Sequence, residues 1–276
     1  MCTIIGQKNI LSKINSIDSL NMLPKANIIL GKYGMGKHTI LQYICNKYNV
    51  KSKYIDFELS TDILNDMYML SEPRFYIIDI EFLRKNRRID RFQNTLLKFT
   101  EEPPMLAWVF IICNNTLDIL KTLENRCQIW KLAPYSITEL QEIANIHNKQ
   151  YSNFELSLLE TPYDIISRDS TQIQTILTLC DNIINNIHKA TISNTLSIRN
   201  KLNMESDIDL FIQLLSNSLF LKYIDSNVVE QDKNKYLHAY VLTLRLMSNL
   251  TILNINKNNL MDNFLLELKD IFTYNI

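Results

Sequence analysis

Residue types able to hold phosphate gather in one short segment. Gly31-Lys32-Tyr33-Gly34-Met35-Gly36-Lys37 has the spacing G-x-x-x-x-G-K. Glycines let a backbone turn sharply and aim several N–H groups inward. A helix beginning just after them sets its positive end at an anion. Lys37 then reaches the terminal phosphates of a nucleotide as a point charge. Glycine is scarce elsewhere, which sharpens the signal. The chain has four, where ordinary composition gives about twenty, and Gly31, Gly34 and Gly36 are three of them.

One position departs from the motif. After the lysine it requires Ser or Thr, whose hydroxyl binds Mg²⁺. Here His38 follows, with Thr39 next. A step of one residue turns a helix by about 100°, so Thr39 does not simply substitute. Mg²⁺ prefers oxygen ligands, and imidazole replaces a hydroxyl poorly. Nucleotide binding survives this departure better than efficient hydrolysis does. A second candidate is Asp79, which ends the apolar run Phe75 to Ile78. A carboxylate at the C-terminal end of a buried parallel strand lies beside such a loop and can hold Mg²⁺ directly or through water. Glu81 lies two residues on, after Ile80. It serves the site only if the chain has already turned, because neighbours in a strand point oppositely. Otherwise it is a surface carboxylate.

The elements that must position these residues are legible from apolar patterning. Strands are expected at Asn27 to Leu30, Lys53 to Phe57, Phe75 to Ile78, Ala107 to Ile112 and Ile129 to Leu132. Helices are expected at Thr39 to Lys47 and at Ile89 to Glu101, the latter stopped by Pro103-Pro104. Strands that are apolar throughout and alternate with helices predict a parallel sheet covered on both faces. Trp108 and Trp130 fall on such strands and are expected in the core. After Pro134 the pattern turns helical, and beyond Pro162 there is neither Gly nor Pro. Later stretches carry helical spacing at Ile208/Phe211/Leu215/Leu219, Leu237/Val241/Leu244 and Leu260/Phe264/Leu268. The expected division is an α/β nucleotide-binding domain over residues 1–133, a helical lid over 134–195 and a helical C-terminal domain over 196–276.

Composition sets outer limits. With 46% apolar residues the chain can build real cores. Lys plus Arg and Asp plus Glu each total 29, so bulk charge does not drive binding to DNA or an anionic membrane. Five widely spaced cysteines form no C-x-x-C pair and read as reduced packing residues. His147, His188 and His238 lie far apart, without triad or metal spacing. Neither a signal peptide nor an apolar run of about 18 residues is present, so a soluble intracellular protein is expected.

Several segments, in order, resemble the clamp-loader subunits of DNA polymerases within the AAA+ ATPases. Leu23 to Thr39 resembles their phosphate-loop region. Asn94-Thr95-Leu96-Leu97-Lys98-Phe99-Thr100-Glu101-Glu102-Pro103-Pro104 is similar to their NALLKTLEEPP helix end. Phe110 to Asn115 resembles the sensor-one strand, and Leu120 to Gln128 the Ser-Arg-Cys motif. Ile4-Ile5-Gly6-Gln7 resembles the N-terminal box lining the adenine pocket. The resemblance runs from residue 4 to about residue 180. It implies a P-loop AAA+ α/β domain, a helical lid and an all-helical oligomerising collar. It also implies ATP and Mg²⁺ as cofactors. ATP would contact Ile5, the loop from Gly31 through Met35 to Lys37, His38 and Thr39. Asp79 would be the metal ligand, with Glu81 as a further acidic candidate. Asn114 would be the polar sensor, and Arg126 an arginine finger reaching a neighbouring subunit's nucleotide, a task that suits guanidinium.

The departures point in one direction. Ile80 stands where many such ATPases place a water-activating Glu, and Asn125 replaces the motif serine. Thr171 to Leu179 resembles the sensor-two helix with Gln174 where the family has Arg. A subunit that binds ATP but turns it over weakly, or only in an assembled complex, is the expectation. A non-hydrolysing scaffold subunit and a different AAA+ machine are the alternatives. Arg84, Lys85, Arg87, Arg88 and Arg91 form a basic cluster. It reads either as a solvated face or as phosphate contacts to primer-template DNA. The implied partners are other loader subunits, a sliding clamp and primer-template DNA. The implied location is the cytoplasm of a bacterial or phage-infected cell, or a nucleus or viral factory in a eukaryote.

Overall fold

Alternating apolar residues bury both faces of one sheet. The computed structural model describes residues 4–55, 61–81, 89–203, 207–250 and 256–274. Its strands are β1 (Ala26–Leu30), β2 (Lys51–Tyr54), β3 (Arg74–Asp79), β4 (Ala107–Cys113) and β5 (Gln128–Lys131). All pair in parallel, in the order β2-β3-β4-β1-β5. β1 is therefore an interior strand, with Ile28 opposite Ile111 on one side and Ile129 on the other. The helices of this half are α1 (Lys8–Asn15), α2 (Lys37–Tyr48), α3 (Thr61–Tyr68), α4 (Ile89–Glu101), α5 (Lys121–Glu124) and α6 (Ile137–Ile146). Further on lie α7 (Asn153–Leu158), α8 (Pro162–Ser167), α9 (Ser170–Asn186) and α10 (Ile192–Ser197). The chain continues through α11 (Ile208–Ile224), α12 (Glu230–Leu250) and α13 (Lys257–Tyr274).

Side-chain alternation divides the sheet's core in two. Ile28, Tyr76, Ile78, Val109 and Ile111 face Leu96 and Phe99 of α4. Ile29, Phe75, Ile77, Trp108 and Phe110 face Ile40, Leu41 and Ile44 of α2 and Ile10 and Ile14 of α1. Every residue of β4 is buried, as its unbroken apolar run predicts. Both tryptophans are buried with their polar ends satisfied. Trp108 Nε1 donates to the Leu23 carbonyl at 3.1 Å and Trp130 Nε1 to Asn27 Oδ1 at 2.9 Å. β2 differs, since all four of its residues are exposed. It is an edge strand whose Lys51 and Lys53 guard against further pairing. Asp56 and Phe57, expected to extend it, lie outside the described residues.

The chain forms two compact units. One comprises Met1–Asn148 with Glu160–Ser167, the other Lys149–Leu159 with Arg168–Ile276. Residues 134–195 are thus shared, α6 and α8 going with the sheet and α7 and α9 with the C-terminal helices. In the second unit α11 is the central helix. Ile208, Phe211, Leu215 and Leu219 are all buried, along with Leu210, Ile212 and Leu214. α12 buries a different face from the one its spacing suggests. Ala239, Leu242, Thr243 and Leu246 turn inward, while Val241 and Leu244 are 48% and 43% exposed.

Candidate functional site

β1 delivers the glycine loop to the C-terminal edge of the sheet, at the place where strand order reverses. Chain order leaves β1 for β2, three places along the sheet, and later crosses it from β4 to β5. Open parallel sheets bind ligands at such a switch point. The Gly31 N–H donates to the Cys113 carbonyl at 3.2 Å, tying the loop's start to β4. Gly34 and Gly36 have φ of +82° and +84°, the left-handed region that favours glycine. α2 then starts at Lys37, with no side-chain cap and no acidic residue in its first turn. Its positive end is left open to an anion.

Lys37 is buried within this loop. Its Nζ donates to the Gly31 carbonyl at 2.6 Å, the Lys32 carbonyl at 2.9 Å and Asn114 Oδ1 at 2.7 Å. Burial lowers its pKa, and the electrostatic effect of Asp79, then Cys113 and Glu81, offsets only part of that shift. The sequence-predicted cation and polar sensor are therefore in direct contact, with both acidic candidates within electrostatic reach.

The acidic side is shaped by a turn directly after β3. Asp79 Oδ1 accepts a hydrogen bond from the Glu81 N–H at 2.9 Å. Ile80 is fully buried in the core with Ile78. The chain has turned by Glu81, which is the condition for Glu81 to approach the site. His38 fills the remaining corner. Its Nδ1 lies 3.0 Å from the Tyr54 hydroxyl and its Nε2 lies 4.0 Å from Asp79 Oδ2. Tyr54, at the end of β2, has its hydroxyl pKa raised by burial first, then by Cys45 and Asp79. Thr39 is exposed on α2. Tyr54 was missed by the sequence reading, because strand spacing alone does not bring it near His38.

On the far side of the loop, two segments close over it. Gln7 pairs with the backbone of Ala133 twice. Its Nε2 donates to the carbonyl at 2.7 Å, and the Ala133 N–H donates to its Oε1 at 2.8 Å. This clamps the Ile4 to Gln7 box, with half-buried Ile5, beside the segment following β5. The Tyr135 hydroxyl donates to the Met35 carbonyl at 3.2 Å, and burial raises its pKa. The second segment is Glu160 to Tyr163. The Tyr163 N–H donates to the Gly34 carbonyl at 3.2 Å, and its ring meets Tyr33 edge-to-face at 5.1 Å. Lys32 pairs with Glu160. A sequence signal for this segment existed. Thr161-Pro162-Tyr163-Asp164 is a helix-start pattern with proline in the first turn. Thr161 Oγ1 donates to Asp164 Oδ2 at 2.7 Å.

Comparison with known proteins bears on the same region. The family described as DNA polymerase III, delta subunit, matches residues 49–136. A DNA polymerase III gamma subunit-related protein from Thermotoga maritima superposes with a TM-score of 0.51 at 13% identity, covering 95% of this chain and 98% of that one. A RuvB variant from the same organism superposes with a TM-score of 0.50 at 16% identity, covering 95% of this chain and 88% of that one. No curated protein matches by sequence. Residues 49–136 are thus similar to that family, and the chain shares its fold with these two solved structures.

Arg126 follows α5 and pairs through Nη1 with Glu101 Oε1 at 2.5 Å. This joins the Glu-Glu-Pro-Pro element to the Asn-Arg-Cys element. Both side chains are substantially exposed, so the pair is easily exchanged for another anion. Cys127 is half-buried against the core, and desolvation pushes its thiol pKa up to about 12, which suits packing rather than chemistry. Gln174 lies on α9 in the second unit, exposed, its Nε2 donating to Ser170 Oγ at 3.3 Å. Arg84, Lys85, Arg87 and Arg88 lie outside the described residues, and Arg91 lies on α4. No described helix is long and apolar enough to cross a membrane.

Proposed function

We propose that this chain is an ATP-binding subunit of a clamp-loading assembly in DNA replication. The observation that carries the reading is the convergence on one sheet edge of Lys37, Asn114, Asp79 and Glu81, from the ends of β1, β4 and β3. The glycine loop and the open start of α2 would hold the phosphates, with Lys37 leaving the loop carbonyls for them. Met35, His38 and Thr39 line the same loop and helix start, and Ile5 would border the adenine. Asn114 would sense the terminal phosphate through its contact with Lys37. Arg126 would leave Glu101 for a neighbouring subunit's nucleotide, coupling the two sites. ATP would close the ring of subunits on clamp and primed DNA, and hydrolysis would release them. Residues 134–195 would act as lid and 196–276 as oligomerising collar, with the exposed Val241 and Leu244 suited to a subunit interface. Arg84, Lys85, Arg87, Arg88 and Arg91 would contact the DNA backbone.

A specific observation favours a second reading of the same assembly. His38 faces Asp79 in place of a metal-binding hydroxyl, and Ile80 is locked in the core where a catalytic Glu would stand. That fits a subunit with weak turnover or none, acting as a scaffold that answers to ATP. Calorimetric titration of the purified chain with ATP tests the main reading. Binding by the native chain and its loss in Lys37→Ala are expected. Absence of binding by the native chain refutes it. Turnover assays alone and with captured loader subunits then separate a working ATPase from the scaffold.

A further inference from the structure

The residues around Asp79 do not compose an ordinary magnesium site. Mg²⁺ demands a near-octahedral shell of oxygens at about 2.0–2.1 Å. A phosphate loop usually contributes one of these through the hydroxyl that follows its lysine. At that position this chain has an imidazole held in place by its own neighbours. His38 Nδ1 meets the Tyr54 hydroxyl at 3.0 Å, and the two rings stack with centroids 5.9 Å apart. The tautomer with hydrogen on Nε2 lets the ring accept from Tyr54 and turn its N–H toward Asp79, and we assign it on those two partners. Both oxygens of Asp79 have protein groups before them. Oδ1 accepts from the Glu81 N–H at 2.9 Å and Oδ2 faces His38 Nε2 at 4.0 Å.

We infer that this loop binds ATP without Mg²⁺, with His38, braced by Tyr54 and facing Asp79, standing in for the metal-holding hydroxyl. The inference rests on the nucleotide reading above and specifies its chemistry. A triphosphate without its metal needs other compensation. The Lys37 ammonium and the uncapped start of α2 supply most of it. The Asp79 carboxylate would otherwise repel the phosphates. The His38 N–H matches it with a donor of the protein rather than a cation from solution. Glu81 and Asp79 remain the anionic side of the site and Lys37 its cationic side.

The experiment is a calorimetric titration of the full chain with ATP in two buffers, one with MgCl₂ and one with EDTA. Dissociation constants within about threefold of each other are expected for the native chain, well under the tenfold of 1.4 kcal/mol. His38→Thr restores the hydroxyl. Its affinity in EDTA is expected to fall about tenfold or more, because the Asp79 carboxylate loses the donor that offsets it beside the phosphates, and to recover in MgCl₂. His38 is exposed, and a circular dichroism spectrum confirms that the variant folds. Native binding that vanishes in EDTA overturns the inference and leaves the nucleotide reading intact. A His38→Thr chain that matches the native one in both buffers also overturns it. No native binding in either buffer overturns the nucleotide reading itself, and this inference with it.

Discussion

Replacing Gly34 by Ala tests whether the loop is held by the segment that covers it. Gly34 has φ +82°, and a Cβ there would lie 2.6 Å from both Thr161 Oγ1 and Tyr163 Cβ. Left-handed backbone costs an L-residue about 1–2 kcal/mol. Forcing a methyl into a filled space adds about 1–3 kcal/mol. Tyr163 gives way poorly, because its backbone N–H is bonded to the Gly34 carbonyl itself. Gly36 provides the control. Its φ is +84°, yet the nearest atom to a Cβ is 3.7 Å away, so Gly36→Ala carries the backbone cost alone. The expected destabilisation is about 2–5 kcal/mol for Gly34→Ala and about 1–2 kcal/mol for Gly36→Ala. Urea unfolding followed by tryptophan fluorescence reads this out. Trp108 and Trp130, the only tryptophans, both sit in the sheet of the unit that contains the loop. If the two variants lose the same stability, Thr161 and Tyr163 do not confine the loop, and the reasoning fails.

Three further outcomes are expected. Gln7→Ala strips both partners from the Ala133 backbone and should lower the stability of the sheet unit by about 1–3 kcal/mol in the same urea assay. Arg126→Ala should reduce ATP turnover by the assembled complex while this chain's own ATP affinity stays nearly unchanged, and unaltered complex turnover would sink the finger assignment. Burial disfavours the Cys127 thiolate and raises its pKa to about 12, so the folded chain should alkylate slowly at Cys127 with iodoacetamide at pH 9. Modification there as fast as that of a model thiol would contradict its packing role.

Periodicity made the sheet legible because each strand of a doubly covered parallel sheet must be apolar on both sides. β4 satisfies that rule at every residue, and β1 and β3 nearly so. β2 was misplaced because an exposed edge strand carries no such signal, and its Lys-Ser-Lys-Tyr sequence is polar. The stripe Leu237/Val241/Leu244 has faultless helical spacing, yet the helix buries Ala239, Leu242 and Leu246 instead. Spacing shows that a helix has an apolar stripe, and neighbours decide which stripe is covered.

The sequence by itself determined the cradle. Gly31, Gly34 and Gly36 followed by Lys37 leave the backbone few other uses, and Gly34 and Gly36 take left-handed angles that only glycine adopts freely. It also supplied Asp79 at a strand end and Asn114 after another. The tertiary structure decided what these groups touch. It joined Lys37 to Asn114 across 77 positions of sequence, turned the chain so that Glu81 approaches, and set His38 between Tyr54 and Asp79. Such contacts depend on strand order, because residues far apart in the chain meet where strands lie side by side. No local pattern in the sequence records which strands those are.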